Sequence, residues 1–477
     1  MSLTRQTASY STPSDLATPD PLRPPFEIPK AVRSYTQQYA NLYWLRLAVL
    51  RNKVAKRAKG LWEDMEGVSS PPQHVKRVLD VENGNLCYII GTVYMDMILK
   101  PNVLEDLARE NFIAAPVPRR KFCSDTDEVM LEDESGRVRL VGDRMMQAGG
   151  GAFVTGTIMA ALGAETSTGD FEVLEVCYAG LPPQEPRDEE EGDGEWIAIV
   201  SGLEMGGGEV AEDMRVNMLA EWLTGELGGD DDQEEASKVT RLIIAGSALA
   251  QPPVSQSTTT VRNLPARLCP FLIPQTKSSP PQKYGYDPST YSSSPTLAFD
   301  SFLSTVLPSL PIDLLPGSTD PVGQTMPQQP IHIAMLPKAN EFDPASGRLG
   351  MRTNPFWFDA GGAGVGGRKC EFFGNSGQML DDVFKYLGTE SRLEVAEQMM
   401  DWCHVAPTCP DTLCASFSLL LVSSFSLANP TPSPSQKGAT PSPHSTHSSF
   451  RNVPTSTILG INRNSKQKWS KDTMDRK

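Results

Sequence analysis

The sequence predicts a multidomain α+β protein in which a small β-barrel precedes an α/β sheet domain. Three observations support this fold class. Residues 80–180 contain five strand-like runs with alternating apolar and polar side chains. From Trp196 onward, buried strand patterns alternate with helical ones. An acidic run over residues 181–195 separates the two regions and has the composition of a linker.

A helix is expected over residues 34–63, before the barrel. Its apolar side chains recur at helical spacing, and Ser34 is a candidate N-cap. Its later turns carry five basic residues: Arg51, Lys53, Lys56, Arg57 and Lys59. We favour a solvated basic face, with a phosphate-contacting face as the alternative.

Two hairpins and a bent strand define the barrel at 80–180. The hairpins turn at Glu134–Arg137 and at Ser167–Asp170. Gly91 interrupts the first long strand, where we expect a bulge or a sharp bend. A short helix is expected at 103–112. Five strands in this arrangement favour a closed barrel of the OB type.

Three segments are rich in Pro, Ser or both and are expected to be disordered: the N-terminus at 1–30, an insertion at 251–296 and the tail at 415–477. The insertion lies within an α/β domain assigned to residues 196–414. The Gly-rich stretch 361–368 lies between two strand-like runs, so we expect a hairpin loop and not a dinucleotide site.

Composition narrows the function. A net charge of −15 argues against binding of nucleic acid through the overall charge of the protein. The eight cysteines include no Cys-x-x-Cys pair, which argues against a structural zinc site. No apolar signal region or membrane-length apolar run is evident, so we expect a soluble intracellular protein.

The most informative loops follow the strands of the α/β domain. The strand Ile312–Leu315 ends in Gly-x-x-Asp, which resembles the Gly-Asn-His-Asp loop of metallophosphoesterases. A two-metal site needs carboxylates and imidazoles at three successive strand ends. The corresponding positions here are Ser201, Leu203, Ser247, Ser318, Thr319 and Asp320. Hydroxyl and alkyl groups cannot replace such ligands, so we expect no catalytic residue, no metal and no cofactor, and interpret Asp320 as the cap of its turn.

Histidine is too scarce for a dinuclear centre. The five histidines are His74, His332, His404, His444 and His447. Only His332 and His404 fall in the α/β region, and we interpret both as packed or solvated side chains.

Several segments in order resemble the B-subunit family of eukaryotic DNA polymerases, in its delta branch. They include "IIGTVYMDMILKPNVL", "DEVMLEDESGRVRL", "LPGSTDPVGQTMPQQPIH" and "EFFGNSGQMLDDVFKY". The resemblance spans about residues 34–414. It implies an OB fold packed on a calcineurin-like phosphoesterase sandwich whose metal ligands are lost.

The resemblance also implies a role and partners. It implies a non-catalytic nuclear scaffold subunit of the polymerase delta complex, acting in DNA replication and repair. The implied partners are the cysteine-rich C-terminal domain of the catalytic subunit and the third subunit, and through it the sliding clamp. DNA contact would be weak or mediated by the complex, and no membrane is involved.

Two other functions stay open. One is an active phosphoesterase or exonuclease, which the missing ligands disfavour. The other is a stand-alone single-strand-binding protein, which would need aromatic side chains over a basic groove. The candidate aromatics are Tyr88, Tyr94, Phe122, Phe153 and Phe171.

The sequence departs from the family after Leu413. The family continues into further sheet strands, whereas this chain continues into Ser/Pro-rich residues. Our hypothesis is that the coding frame is wrong beyond this point, through intron read-through or alternative splicing.

Overall fold

The computed structural model describes the following residues: 10–11, 26–29, 40–65, 71–101, 119–142, 153–181, 196–206, 210–250, 293–342, 348–360, 370–389, 391–413 and 457–461. The expected helix at 103–112, the linker beyond Leu181, the candidate cap Ser34 and the insertion up to residue 292 lie outside this set.

The described elements include fourteen strands and six α-helices. The strands are β1 (Tyr10–Ser11), β2 (Gln73–Val75), β3 (Cys87–Asp96), β4 (Glu128–Glu132), β5 (Arg137–Val141), β6 (Ile158–Glu165), β7 (Phe171–Cys177), β8 (Trp196–Val200), β9 (Val239–Ala245), β10 (Ile312–Leu315), β11 (Leu349–Met351), β12 (Phe356–Ala360), β13 (Cys370–Asn375) and β14 (Thr457–Ile461). The helices are α1 (Ala40–Trp62), α2 (Val210–Thr224), α3 (Asp230–Lys238), α4 (Ser294–Val306), α5 (Gln378–Tyr386) and α6 (Arg392–Asp401).

The predicted barrel is present and closed. Its strands follow the order β3-β4-β5-β7-β6, and β6 pairs back onto β3. The pairs β4–β5 and β6–β7 are the two predicted hairpins. The pair β5–β7 is parallel, and β2 adds a short parallel strand beside β3.

Gly91 lies where β3 changes partner. The first half of β3 pairs with β6, and from Thr92 onward it pairs with β4. A Cβ atom at Gly91 would lie 2.7 Å from the carbonyl oxygen of Glu132. The close approach of β4 at the predicted bend therefore requires glycine.

Helix α1 packs its apolar side on the barrel. Leu50, Val54 and Ala58 are fully buried there. Some side chains of the predicted basic face form hydrogen bonds with other parts of the chain. Arg51 donates to both carboxylate oxygens of Glu134, at 2.9 and 2.5 Å. Basic side chains of α1 therefore serve as contacts to neighbouring elements.

Further contacts of α1 reach the far end of the chain. Arg57 Nη1 donates to Asp401 Oδ1 at 2.8 Å. The buried Arg46 donates to the carbonyls of Pro407 and Cys409, at 2.9 and 2.7 Å. These contacts join elements that are more than 340 residues apart in sequence.

The α/β region contains a parallel four-stranded sheet in the order β11-β10-β9-β8. One face packs on α2 and α4 through alternate side chains such as Leu242 and Ile244. The opposite face presents Ile243 and Leu315 to a second sheet. All four strands are parallel, so their carboxyl ends meet at one edge.

The second sheet is antiparallel in the order β1-β12-β13-β14. Phe356 and Phe358 pack against the parallel sheet, while Trp357 and Phe373 face the other way. The antiparallel pairing of β12 with β13 fits the predicted hairpin, although its loop at 361–369 lies outside the described residues.

The barrel and the α/β region share a continuous apolar core. Buried side chains of the barrel, of α1, of α5 and of α6 form one cluster. The ring of Phe122 lies edge-on to Tyr386, with centroids 5.6 Å apart. Lys121 donates to the carbonyls of Phe384, Leu387 and Thr389 at 2.8–2.9 Å, so a barrel side chain caps the end of α5.

Three segments of the ends that were predicted to be disordered have places in the fold. Phe26 is 5% exposed, and its ring packs edge-on to Phe373 with centroids 6.0 Å apart. The strand β1 pairs with β12, and β14 pairs with β13. Local composition did not reveal these sites because their partners lie far away in sequence. Among the described helices, none has the length and apolarity needed to cross a bilayer.

Candidate functional site at the strand ends

The loops that follow β8, β9 and β10 meet at the carboxyl edge of the parallel sheet. Gly202 N donates to the carbonyl of Gly246, and Glu204 N donates to that of Ser247. A Cβ atom at Gly246 would lie 2.8 Å from the Cα of Gly317. The structure therefore brings together the three loops that the sequence singled out.

The backbone of the second loop is unusual. Gly246 and Ser247 have φ angles of 78° and 53°. A serine at positive φ is uncommon, since its Cβ disfavours the left-handed region. This conformation directs the backbone N–H groups of Ala248 and Leu249 toward the third loop.

Asp320 joins the loops through both carboxylate oxygens. Oδ2 accepts from Gly317 N at 2.7 Å, as expected for a turn cap. Oδ1 accepts from Ala248 N at 3.0 Å and from Leu249 N at 3.1 Å. Burial raises the pKa of Asp320, and the backbone hydrogen bonds oppose that rise. The sequence predicted the turn cap but gave no signal of the bonds to the second loop.

The other predicted positions carry neutral side chains in varied surroundings. Ser318 is exposed, and Leu203 packs against the apolar core beneath the sheet. Ser201 Oγ donates to the carbonyl of Gly246 at 3.4 Å. Thr319 Oγ1 is buried and has no hydrogen-bond partner among the described residues. No side chain in this set is a strong metal ligand.

A network of amide and hydroxyl groups fills the adjacent space. Asn354 Nδ2 donates to Gln328 Oε1 at 2.8 Å and to Gln378 Oε1 at 2.9 Å. Ser376 Oγ donates to the carbonyl of Pro316 at 2.8 Å, which ties the network to the third loop. Gln328 Nε2 reaches the carbonyl of Gly317 at 3.3 Å. These polar groups bond to one another and carry no charge.

The buried ion pairs of Asp313, within the parallel sheet, were not predicted from the sequence. Asp313 is fully buried on β10, and it pairs with Arg241 at 2.5 Å and Arg352 at 2.7 Å. A buried ion pair of this kind needs both partners, since one charge alone would be costly. The other residues of this strand are apolar, so the sequence pattern gives no sign that Asp313 forms an ion pair with arginines outside the strand.

The two histidines of the α/β region lie apart from any cluster of ligands. His332 is exposed, and His404 is fully buried in the core shared with the barrel. Within the described part of the chain, no group of three or more His, Cys, Asp or Glu residues could hold a metal ion.

The barrel aromatics are mostly unavailable for stacking on nucleobases. Tyr88, Phe122, Phe153 and Phe171 are all buried. Tyr94 is half-buried, and the guanidinium of Arg137 lies over its ring, 4.0 Å from the centroid.

Comparison with known proteins gives two family matches. The family model described as the DNA polymerase delta subunit OB-fold domain matches residues 38–176. The family model for the B subunit of DNA polymerases alpha and epsilon matches residues 197–435. The first match covers the closed barrel, and the second covers the α/β region and extends past Leu413.

Curated relatives match over most of the chain. The DNA polymerase delta small subunit of Arabidopsis thaliana is 32% identical over 81% of this chain and 78% of its own length. The small subunit of Saccharomyces cerevisiae is 29% identical over 82% of this chain and 78% of its own. DNA polymerase delta subunit 2 of Drosophila melanogaster is 30% identical over 80% and 78%. The closed barrel agrees with the OB-fold match, and the relatives cover about four fifths of the chain, so the chain belongs to the family of DNA polymerase delta small subunits.

Proposed function

We propose that the chain is a non-catalytic scaffold subunit of a nuclear DNA polymerase delta complex. It bridges the cysteine-rich C-terminal domain of the catalytic subunit and the third subunit, and through the third subunit it reaches the sliding clamp. In this role it supports replication and repair synthesis and contacts DNA weakly or through the complex.

The observation that carries this proposal is the shared core of the barrel and the α/β region. A bridging subunit must hold two partners in a fixed geometry, which requires a rigid connection between its domains. Here that connection consists of the apolar cluster and of polar contacts such as Lys121 on the end of α5. A large apolar interface of this kind opposes relative domain motion.

The strand-end loops support the non-catalytic part of the proposal. We interpret the two facing sheets as a calcineurin-like sandwich that has lost its metal ligands. Both oxygens of Asp320 accept backbone N–H groups, and the neighbouring amides bond to one another. A metal ion would have to compete with these bonds and would find no imidazole among the predicted positions.

Co-expression with a polymerase delta catalytic subunit tests the scaffold role. We expect the two chains to co-purify. The matched control is the same catalytic subunit without its cysteine-rich C-terminal domain, which we expect to be recovered alone. Failure of the full-length catalytic subunit to associate would contradict the proposal.

A phosphoesterase assay tests the absence of catalysis. With Mn²⁺ and bis(p-nitrophenyl) phosphate, we expect the chain and its Asp320→Ala variant to give the same background rate. A metal-dependent rate that this substitution abolishes would show that the strand-end loops form an active site.

A further inference from the structure

A cavity of about 350 Å³ lies between α1 and the barrel, away from the strand-end loops. Its walls include Tyr43, Trp44 and Leu47 of α1 and Tyr94 of β3. This volume is at the lower end of the range for small-ligand pockets and has room for large side chains. Five of the twelve lining residues are aromatic or aliphatic: Tyr43, Trp44, Leu47, Val93 and Tyr94.

Trp44 marks the open side of this cavity. Its side chain is 62% exposed, although tryptophan is the largest apolar residue and is favoured at interaction hot spots. The cavity's aromatic rings already attract cations from within the chain. The guanidinium of Arg46 lies 5.6 Å from the ring centroid of Tyr43, and Lys100 Nζ lies 5.6 Å from that of Tyr94.

The polar part of the lining is acidic. Four carboxylates, Glu132, Asp133, Glu134 and Asp411, line the cavity together with the guanidinium of Arg137. Three of them already pair with a cation: Glu132 with Arg137, Glu134 with Arg51, and Asp411 with Lys100. Asp133 accepts several backbone N–H groups and therefore serves the local turn.

Two of these carboxylates remain open to solvent. The side chains of Glu132 and Glu134 are 46% and 45% exposed, and their ion pairs with Arg137 and Arg51 are surface pairs. A carboxylate has more acceptor positions than one guanidinium uses, even where both oxygens accept from it. Both side chains can therefore accept further hydrogen bonds from an incoming cation.

We propose that this cavity binds an arginine-bearing segment of a partner protein. A guanidinium would stack on Trp44 and donate to Glu132 and Glu134, while flanking aliphatic side chains would pack on Leu47. Arginine fits better than lysine because its planar group both stacks and donates to two carboxylate oxygens. The affinity of the cavity for such a segment does not depend on whether the chain assembles with a polymerase.

Calorimetric titration of the full chain with the peptide acetyl-Leu-Arg-Arg-Leu-amide tests this proposal. At 50 mM NaCl we expect saturable binding with one site, and weaker binding at 300 mM NaCl because salt screens the carboxylates. The peptide with glutamine in place of both arginines is the matched ligand control and should not bind.

Variants locate the site. Trp44→Ala should weaken binding roughly tenfold, in the range of a partly desolvated cation–π contact, and Trp44→Phe should restore most of it. Trp196→Ala is the matched control, since Trp196 is similarly exposed, at 56%, but lies on β8. Glu132→Gln combined with Glu134→Gln should reduce both the affinity and its salt dependence.

Three results would each overturn the proposal. The first is that the arginine peptide does not bind to the full chain. A segment of the chain that fills the cavity would give this result. Another is equal binding of the glutamine peptide. The third is equal loss of binding in Trp44→Ala and Trp196→Ala. Because Trp44 is exposed, its substitution should leave the unfolding midpoint unchanged, which separates lost binding from lost folding.

Discussion

His404 should make the stability of this protein fall steeply below about pH 6.5. The imidazole is fully buried, and its Nδ1 accepts a hydrogen bond from Ala406 N at 3.2 Å. Its pKa lies well below the usual value, first because of burial and second because of the positive charge of Arg46. The folded protein therefore keeps His404 neutral at mildly acidic pH.

The sign and size of the effect follow from proton linkage. The unfolded chain binds a proton at His404 below pH 6.5, whereas the folded chain does not. Protonation then favours the unfolded state by about 1.4 kcal/mol for each pH unit below that value.

The assay is urea unfolding at pH 7.0 and 5.0, with His404→Gln as the test variant. Glutamine stays neutral and can offer its side-chain oxygen to Ala406 N. The variant should therefore lose less stability than the parent between the two pH values, by at most about 1.4 kcal/mol for each pH unit below 6.5. His332→Gln is the matched control. His332 accepts from Ala334 N at the same 3.2 Å, but it is exposed. Equal pH dependence of the parent and the His404→Gln variant would refute the reasoning.

Three further substitutions test other parts of the fold. Asp320→Ala should lower the free energy of unfolding by about 3 kcal/mol in a urea titration, because three buried N–H groups lose their acceptor. The control Ser318→Ala, at an exposed position of the same loop, should change it by less than about 0.5 kcal/mol. Gly91→Ala should abolish soluble expression because its Cβ would lie 2.7 Å from a backbone oxygen of β4, whereas Gly60→Ala, which has open space, should express normally. Phe26→Ala should cost about 3 kcal/mol in thermal unfolding, as expected for loss of a buried ring, and no change would mean that the segment does not dock.

The barrel could be predicted from the sequence because the residues that define its hairpins are close together in the chain. Each hairpin joins neighbouring strands, and alternation together with turn residues defines the pairing. The bend at Gly91 was also visible, since glycine within a strand pattern is a specific signal. The parallel strands were recognisable for the same reason, as short apolar runs that end in Gly-containing loops.

Other features depend on contacts between distant residues. The bonds from Asp320 to the second loop join residues 71 and 72 positions apart, and a sequence pattern shows only the local cap. The role of Asp313 likewise depends on Arg241 and Arg352, which lie on or beside neighbouring strands. Lys56, Arg57 and Lys59 of α1 are exposed, as expected for a solvated basic face, but the acidic partners of Arg51 and Arg57 could not be identified without the fold.

The contacts of Arg46 have a consequence for synthesis of the protein. This buried side chain is made early, but its acceptors, the carbonyls of Pro407 and Cys409, follow 361 and 363 residues later. At about 5–20 residues per second, the ribosome needs roughly 20–70 s to supply them. During that interval the guanidinium of Arg46 lacks the two carbonyl acceptors that it has in the folded chain, so α1 cannot complete its contacts until translation passes Cys409.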